Sequence, residues 1–414
     1  MADTIEVANC EDSGTGSLRD AVGSAVSGDT VDASALTCGK ITMTSGEIAI
    51  GVDDLTIVGP GIDALFIDAQ GKSRALNHTG AGTLNLQALT VSRGSYSKDD
   101  SARGGCIYSG ANVSLVDVTI FACEVSGITQ PSGGGIFVGG TLYMDRSRLI
   151  DNLSIASGMA PHPNGSTPAA SAMGGGASSY RIIANRSTIS GNSAHSTTDT
   201  YTFGGGLFVG PNPFVKVTTI DHNHADRGGG IALLGPGTPN FNMDTISSNS
   251  ATISGGGIYS LSSLTIRNTT IAFNQSGASG GGIYQYGFLR TLSMDNVIVA
   301  SNVATDNASD ADIGGVVDIF SQSSIVMQTT LPLPPDTIRD DPLLLPLADN
   351  GGFSRTHAIP DNSPAVDRGI NENTTCDERG FPRVYGAEQD IGAYEYQGDR
   401  FMFSNFEICL PAGP

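Results

Sequence analysis

Short apolar runs alternate with polar positions along most of the chain, and between residues 104 and 302 they fall into a repeat. Seven times a glycine cluster leads into an apolar residue, a neighbour that is often aromatic, and a Val/Ile/Thr-rich run that ends in Asn. The third position of the glycine cluster falls at 106, 135, 176, 206, 230, 257 and 282, in steps of 24 to 41 residues. The closing column is Cys123, Asn152, Asn192, Asn223, Asn249, Asn274 and Asn302, which follows the glycine position by 16 to 20 residues. The strand half is thus nearly constant in length, and the variable part lies after Asn. A period of this size with insertions at one phase predicts a solenoid, and the short β-branched runs make its units strands. Stacked coils of that kind form a parallel β-helix, one strand spacing of about 4.8 Å apart.

The columns then take physical roles. Ile107, Ile136, Ala177, Leu207, Ile231, Ile258 and Ile283 are expected to face inward, and Tyr108, Phe137, Ser178, Phe208, Ala232, Tyr259 and Tyr284 outward, by the two-residue period of a strand. Glycine clusters mark tight corners. An Asn at one phase of every coil can donate and accept along a ladder. Residues 1–40 read as an N-terminal cap, because Ser17-Leu18-Arg19-Asp20 has capping-box spacing and Leu18, Ala21, Val22 and Ala25 form a helical stripe. The β-helix is expected over 41–325, an irregular C-terminal cap over 326–398, and a tail over 399–414. The insertions after the Asn column, longest at Leu153–Met173 and Ser193–Phe203, are expected to be loops on one edge.

The glycine-to-Asn phrases resemble the polymorphic outer-membrane-protein repeat. The stretch Cys10…Gly16-Ser17-Leu18-Arg19-Asp20-Ala21-Val22…Gly28-Asp29-Thr30-Val31 is similar to the N-terminal cap of secreted bacterial β-helix proteins. Several ordered motifs lie between 340 and 395, among them Asp349-Asn350-Gly351-Gly352, Ser363-Pro364-Ala365-Val366-Asp367-Arg368-Gly369, Arg379-Gly380-Phe381-Pro382-Arg383 and Asp390-Ile391-Gly392-Ala393-Tyr394-Glu395. These resemble the choice-of-anchor Q domain. The tail around Phe401-Met402-Phe403-Ser404-Asn405-Phe406-Glu407 resembles a terminal tag of secreted Gram-negative proteins. The resemblance implies a right-handed coil and a secreted or cell-surface protein of bacterial, Gram-negative type. It covers adhesins, autotransporter passengers and polysaccharide lyases alike.

Composition narrows the partners. With 41 acidic against 21 basic residues the net charge is −20, which argues against nucleic acid, since phosphate binding needs Lys and Arg. No apolar run reaches the length of a membrane span. The start, Met1-Ala2-Asp3-Thr4, does not read as a signal peptide and suggests a replaced leader. A monomer is expected. Six cysteines suit an oxidising compartment. Cys106 and Cys123 each break the repeat in the same coil, which points to a bond between them. Cys10 and Cys38 flank the cap helix, and Cys376 with Cys409 completes the expected pairs.

Candidate chemistry is sparse. His195, Asp199 and Tyr201 follow one ladder Asn, and His224, Asp226 and Arg227 follow the next. An elimination on a uronate needs a base, a cation beside the carboxylate and an acid for the leaving oxygen. His224 or His195 fits the base, Arg227 the cation and Tyr201 the acid, while Asp199 and Asp226 are candidate ligands for Ca²⁺. The plainer reading is a set of solvated loop side chains. Tyr108, Phe137, Phe208, Tyr259 and Tyr284 are candidate sugar-stacking residues, or else a ladder that steadies neighbouring strands. The charges Asp367, Arg368, Arg379, Arg383, Asp390 and Glu395 read as ion pairs that hold the irregular cap together. Two functions follow: an enzyme that acts on an extracellular polysaccharide or cell-surface glycan, by lyase-like elimination or by hydrolysis, and a non-catalytic adhesin or matrix protein.

Overall fold

The computed structural model describes residues 2–98, 101–158, 171–198, 200–372 and 374–398. The protein is an all-β parallel solenoid of about 11 turns. Among the described residues, helix is confined to Leu18–Ser24 and the 3₁₀ turn Ala308–Asp310. Two compact units are distinguished. One comprises Met1–Ala184, Thr188–Gly210 and His224–Asp226, the other Asn185–Ser187, Pro211–Asn223 and Arg227–Pro414.

One coil of the first unit shows how the sequence turns. Ile107–Ser109 is followed by Asn112–Phe121, which bends at Asp117, and by Glu124–Gly127. Asp117 and Ala122 both take positive φ, 53° and 52°. The same two corners recur: Arg146 and Asp151 in the next coil, and Met243 with Ser248, Asn268 with Phe273, and Asn296 with Ser301 in the second unit. The residue just before each ladder Asn is therefore left-handed, and the Asn side chain itself turns inward. A left-handed corner leaves backbone groups without strand partners, and a buried unpaired group is costly. The Asn amide supplies the partners. Asn274 Nδ2 donates to the Ile246 and Ala272 carbonyls at 2.9 and 3.1 Å and to Asn302 Oδ1 at 3.0 Å. In the second unit Asn223, Asn249, Asn274 and Asn302 each donate both backbone N–H and Nδ2 to the side chain of the next rung. In the first unit Asn152 does the same to Asn192.

The ladder has an end that the repeat does not show. Asn302 bonds to Asp312, whose Oδ1 accepts from Asn302 and whose Oδ2 accepts from the Met327 and Gln328 N–H groups at 3.1 and 2.7 Å. A carboxylate accepts on both oxygens, so it ends a chain of amides that each need a donor side and an acceptor side. Asn302 is an interior rung for that reason, although it is the last Asn of the repeat.

Glycine at the third corner position has a steric cause. A Cβ at Gly135 would lie 3.0 Å from the Asn152 amide carbon and 2.6 Å from the Gly176 carbonyl oxygen. Where Asn gives way to Cys123, the glycine gives way to Cys106, and the two are joined as a disulfide with Cα atoms 5.4 Å apart. Cys10 is joined to Cys38. The pair Cys376–Cys409 lies outside the described residues, because Cys409 does. At the N-terminus Ser17 Oγ accepts from Asp20 N at 3.2 Å, while Asp20 Oδ2 accepts from Gly16 N, and Leu18, Ala21 and Val22 are buried.

The inward column is buried throughout. The edge loops are a correction. The segments after the Asn column begin as strands, Glu124–Gly127, Leu153–Ala156, Ser193–Ser196, His224–Arg227 and Ser250–Ser254. Their inward residues are small: Ala156, Ala194 and Ala225 form a core with Ala172. Alanine and serine give too weak an alternation to be read as strands.

The irregular C-terminal segment lies along the flank of the coils in its own unit. The strands Thr219–Asp221, Thr245–Ser247, Thr270–Ala272, Ile298–Ala300 and Ile325–Val326 stack in register, and all are buried on both faces. At one end polar groups fasten the segment. Thr219 Oγ1 donates to the Arg355 carbonyl at 2.6 Å, Arg355 pairs with Asp221, and Ser247 Oγ meets His357 Nε2 at 2.8 Å. At the other end Ala358, Ile359, Ala365, Ile391 and Tyr394 pack on Ile298, Ala300 and Ile325. Among the described residues the segment's own charges are held by one ion pair and by hydrogen bonds to neutral groups, not by ion pairs throughout. Arg379 pairs with Asp377 and donates to the Glu395 carbonyl, Asp390 accepts from Asp367 N and Tyr396 N, and Arg383 donates to three carbonyl-type oxygens.

Glu378 is the polar centre of this contact, accepting from Thr245 Oγ1 and from Ser354 Oγ at 2.9 Å, with Thr219 Oγ1 3.4 Å from its Oε1. Burial pushes its carboxyl well above the usual range; the Thr245 and Ser354 hydroxyls oppose this and buried Asp244 adds to it.

Two predictions follow from these contacts. Asn249→Leu and Asn302→Leu should destabilise to a similar degree, roughly 1–3 kcal/mol for each polar group left unpaired, in urea melts; a much milder Asn302→Leu would show that Asp312 does not extend the ladder. For Glu378 the folded form holds its proton at pH values where the unfolded chain has lost it. The stability from neutral Glu378 is therefore complete below about pH 4.5 and declines as pH rises toward its raised pKa. Urea-derived stabilities compared from about pH 5 to 9 should fall less steeply in Glu378→Gln than in the wild type, whereas parallel slopes would mean that Glu378 is ionised in the folded protein.

Candidate functional site

The first unit brings two of the singled-out histidines together. His195 lies on Ser193–Ser196 and His224 opens His224–Arg227, with Ser193 opposite His224 in register. Both therefore sit on strands, where alternation with Ala194 and Ala225 turns them outward. His224 N donates to the Asn192 carbonyl at 2.9 Å, which ties the strand to the ladder. Burial holds the His224 imidazole below its ordinary pKa; Asp226 opposes this and His195 reinforces it. His224 is partly shielded and His195 is exposed. A neutral imidazole at pH 7 has a lone pair available as a general base.

The other expected members fall differently. Asp226 Oδ2 accepts from Thr202 N and Thr202 Oγ1 at 2.9 and 3.1 Å, and Asp226 N donates back to Thr202 Oγ1 at 2.8 Å. This reciprocal clamp holds the segment that follows His195 onto the His224 strand. Tyr201 stands beside it, half-exposed. Asp199 lies outside the described residues. Among the described residues no group of three or more His, Cys, Asp or Glu is gathered as a metal site. Arg227 belongs to the second unit, where its guanidinium lies 5.7 Å from the Tyr259 ring centre.

The outward aromatic column is two stacked pairs. Tyr108 and Phe137 lie 5.7 Å apart and Tyr259 and Tyr284 5.6 Å apart, with ring planes within 6°. Each ring turns one face to its partner in the neighbouring coil. Arg74 lies 5.3 Å from the Tyr108 centroid and Arg103 4.7 Å from that of Phe137. Ser178 stands opposite Phe208 in the ladder, and Tyr259 is buried. The stacking ties neighbouring strands together.

One charged group escaped sequence reasoning. Lys216 ends Phe214–Lys216 and stands opposite Asn242, which stands opposite Arg267. In sequence these cations are isolated and lie outside the insertions after Asn; the signal was their shared phase in successive coils.

The comparisons with known proteins bear on the fold. No family model matches the chain, and no curated protein matches it. Its structure is similar to the crystal structure of pectate lyase Pel9A, with a TM-score of 0.50 and 14% sequence identity, over 95% of this chain and 96% of that one. The likeness confirms the parallel β-helix. No family match supports the polymorphic outer-membrane-protein repeat or the choice-of-anchor Q domain.

Proposed function

We propose that this is a secreted β-solenoid protein that acts on an extracellular polysaccharide through the outer face around His195 and His224. The observation that carries the reading is the partly buried His224, kept neutral beside a second, exposed histidine on a rigid strand. In a lyase-like elimination His224 takes the proton beside a uronate carboxylate, His195 donates a hydrogen bond to that carboxylate, and Tyr201 protonates the leaving glycosidic oxygen. The pectate lyase likeness supports the scaffold, and the disulfides Cys10–Cys38 and Cys106–Cys123 support an oxidising compartment. The repeat and anchor-domain resemblances fit a cell-surface setting.

One observation favours a second reading, a non-catalytic adhesin or matrix protein. Asp226 is engaged by Thr202 and Arg227 by Tyr259, so two of the polar groups near these positions have structural partners.

A panel of polysaccharides, followed at 235 nm for unsaturated products and by reducing ends, separates the two. Turnover is expected, and His224→Ala should lower kcat/KM by about 100-fold or more with little change in thermal melting. The wild-type rate should rise with pH through a value below the ordinary histidine pKa, because the base must be neutral. An active His224→Ala would move the site elsewhere, and binding without turnover would establish the adhesin reading.

A further inference from the structure

The outer face of Phe214–Lys216, Asn240–Asn242 and Leu264–Arg267 is a polar lattice. One column runs Lys216, Asn242, Arg267; the next runs Phe214, Asn240, Thr265 and on to Ser293. All of these side chains are partly exposed. Successive rungs are about 4.8 Å apart, so Lys216 and Arg267 are separated by about 10 Å along the stack. Arg186 N donates to the Lys216 carbonyl at 3.2 Å, and its guanidinium adds positive charge beside the ammonium and lies 5.3 Å from the Phe353 ring centre.

The lattice is cationic at its Lys216 end, beside Arg186, in a chain of net charge −20, while Asp295 follows Arg267 in the same column. Asp244 is the acid nearest to Lys216 in effect, but it is buried, its oxygens accept from Thr218 N and Asn242 N at 3.0 and 2.9 Å, and burial pushes its carboxyl well above the usual range. Lys216 forms no ion pair among the described residues. Burial weakens its protonated form, Asp244 opposes this and Arg186 adds to it, and an incoming anion relieves the effect of burial. Arg267, by contrast, is held by Asp295 and Glu372 at 3.2 and 3.3 Å.

We propose that this face binds a carboxylated glycan, with Lys216 receiving a carboxylate within the positive field of Arg186, and Asn240, Asn242 and Thr265 receiving hydroxyls of the adjoining sugars. Cations alone would suit any small anion. Amides and hydroxyls repeating between them at the rung spacing suit an extended, hydroxyl-rich polymer. The proposal stands on different residues from the histidine site and does not depend on turnover.

The test is calorimetric titration of the full chain with oligoalginate and oligogalacturonate, against a neutral cello-oligosaccharide of equal length. The acidic oligosaccharides should bind and the neutral one should not. Lys216→Gln and Arg186→Gln should each weaken binding by about tenfold or more, and Lys216→Arg should restore it. Roughly 0.5 M NaCl should weaken the wild type toward the variants. Thermal melts of all variants should match the wild type, since the altered groups are partly exposed. Absence of binding by both acidic probes, equal binding of the neutral probe, or wild-type affinity in folded Lys216→Gln and Arg186→Gln would each overturn the proposal. A failure of the histidine site would show instead as lost turnover with this binding intact.

Discussion

Most coils turn sharply at residues that are not glycine, Gly191 before Asn192 being an exception, and each such corner strips backbone groups of their strand partners. The Asn amides answer this within the fold. A side chain with two donors and an acceptor serves the corner of its own coil and the rung beside it, so the cost of turning is met by the same contact that stacks the coils. The rest follows from that contact. The third glycine is small because the amide lies against it, and the residue before Asn is left-handed because that is what aims the amide inward. Cys106 and Cys123 replace glycine and Asn together because the two positions touch.

The solenoid was legible because this contact repeats. Seven glycine phrases and six Asn residues at near-constant offset specify a coil, and alternation at Ile107-Tyr108 or Ile258-Tyr259 specifies the inward side. The Ser17 cap and the Cys106–Cys123 bond were legible from local departures. What did not repeat was harder to read. Asp312 ends the ladder from a coil that has lost its Asn, and its role depends on the backbone of Met327 and Gln328. The small-residue strands around Ala194 and Ala225 carry too little hydrophobic contrast to stand out from loops.

The site residues were legible as types but not as partners. His195 and His224 lie on neighbouring strands two residues apart in register, and sequence spacing was enough to bring them to one face. That Asp226 is clamped by Thr202 or that Arg227 lies against Tyr259 depends on rotamers and on a return of the chain that no spacing encodes. Lys216 was hidden for the opposite reason. Nothing in Phe214-Val215-Lys216 is unusual until Asn242 and Arg267 are laid beside it.

The flank under the C-terminal segment is graded, from Thr219, Asp221, Thr245 and Ser247 to Ile298, Ala300 and Ile325, and the segment that covers it is graded in the same sense, from Arg355, His357 and Glu378 to Ile359, Ile391 and Tyr394. A repeat is ordinarily free to gain or lose copies, since one coil is as good a neighbour as another. Here the copies are individually addressed. Duplicating the coil that carries Thr245 would move Ile298, Ala300 and Ile325 one rung out from under Ile359, Ile391 and Tyr394 while the polar end kept its partners, so the covering segment counts the coils beneath it and holds their number constant.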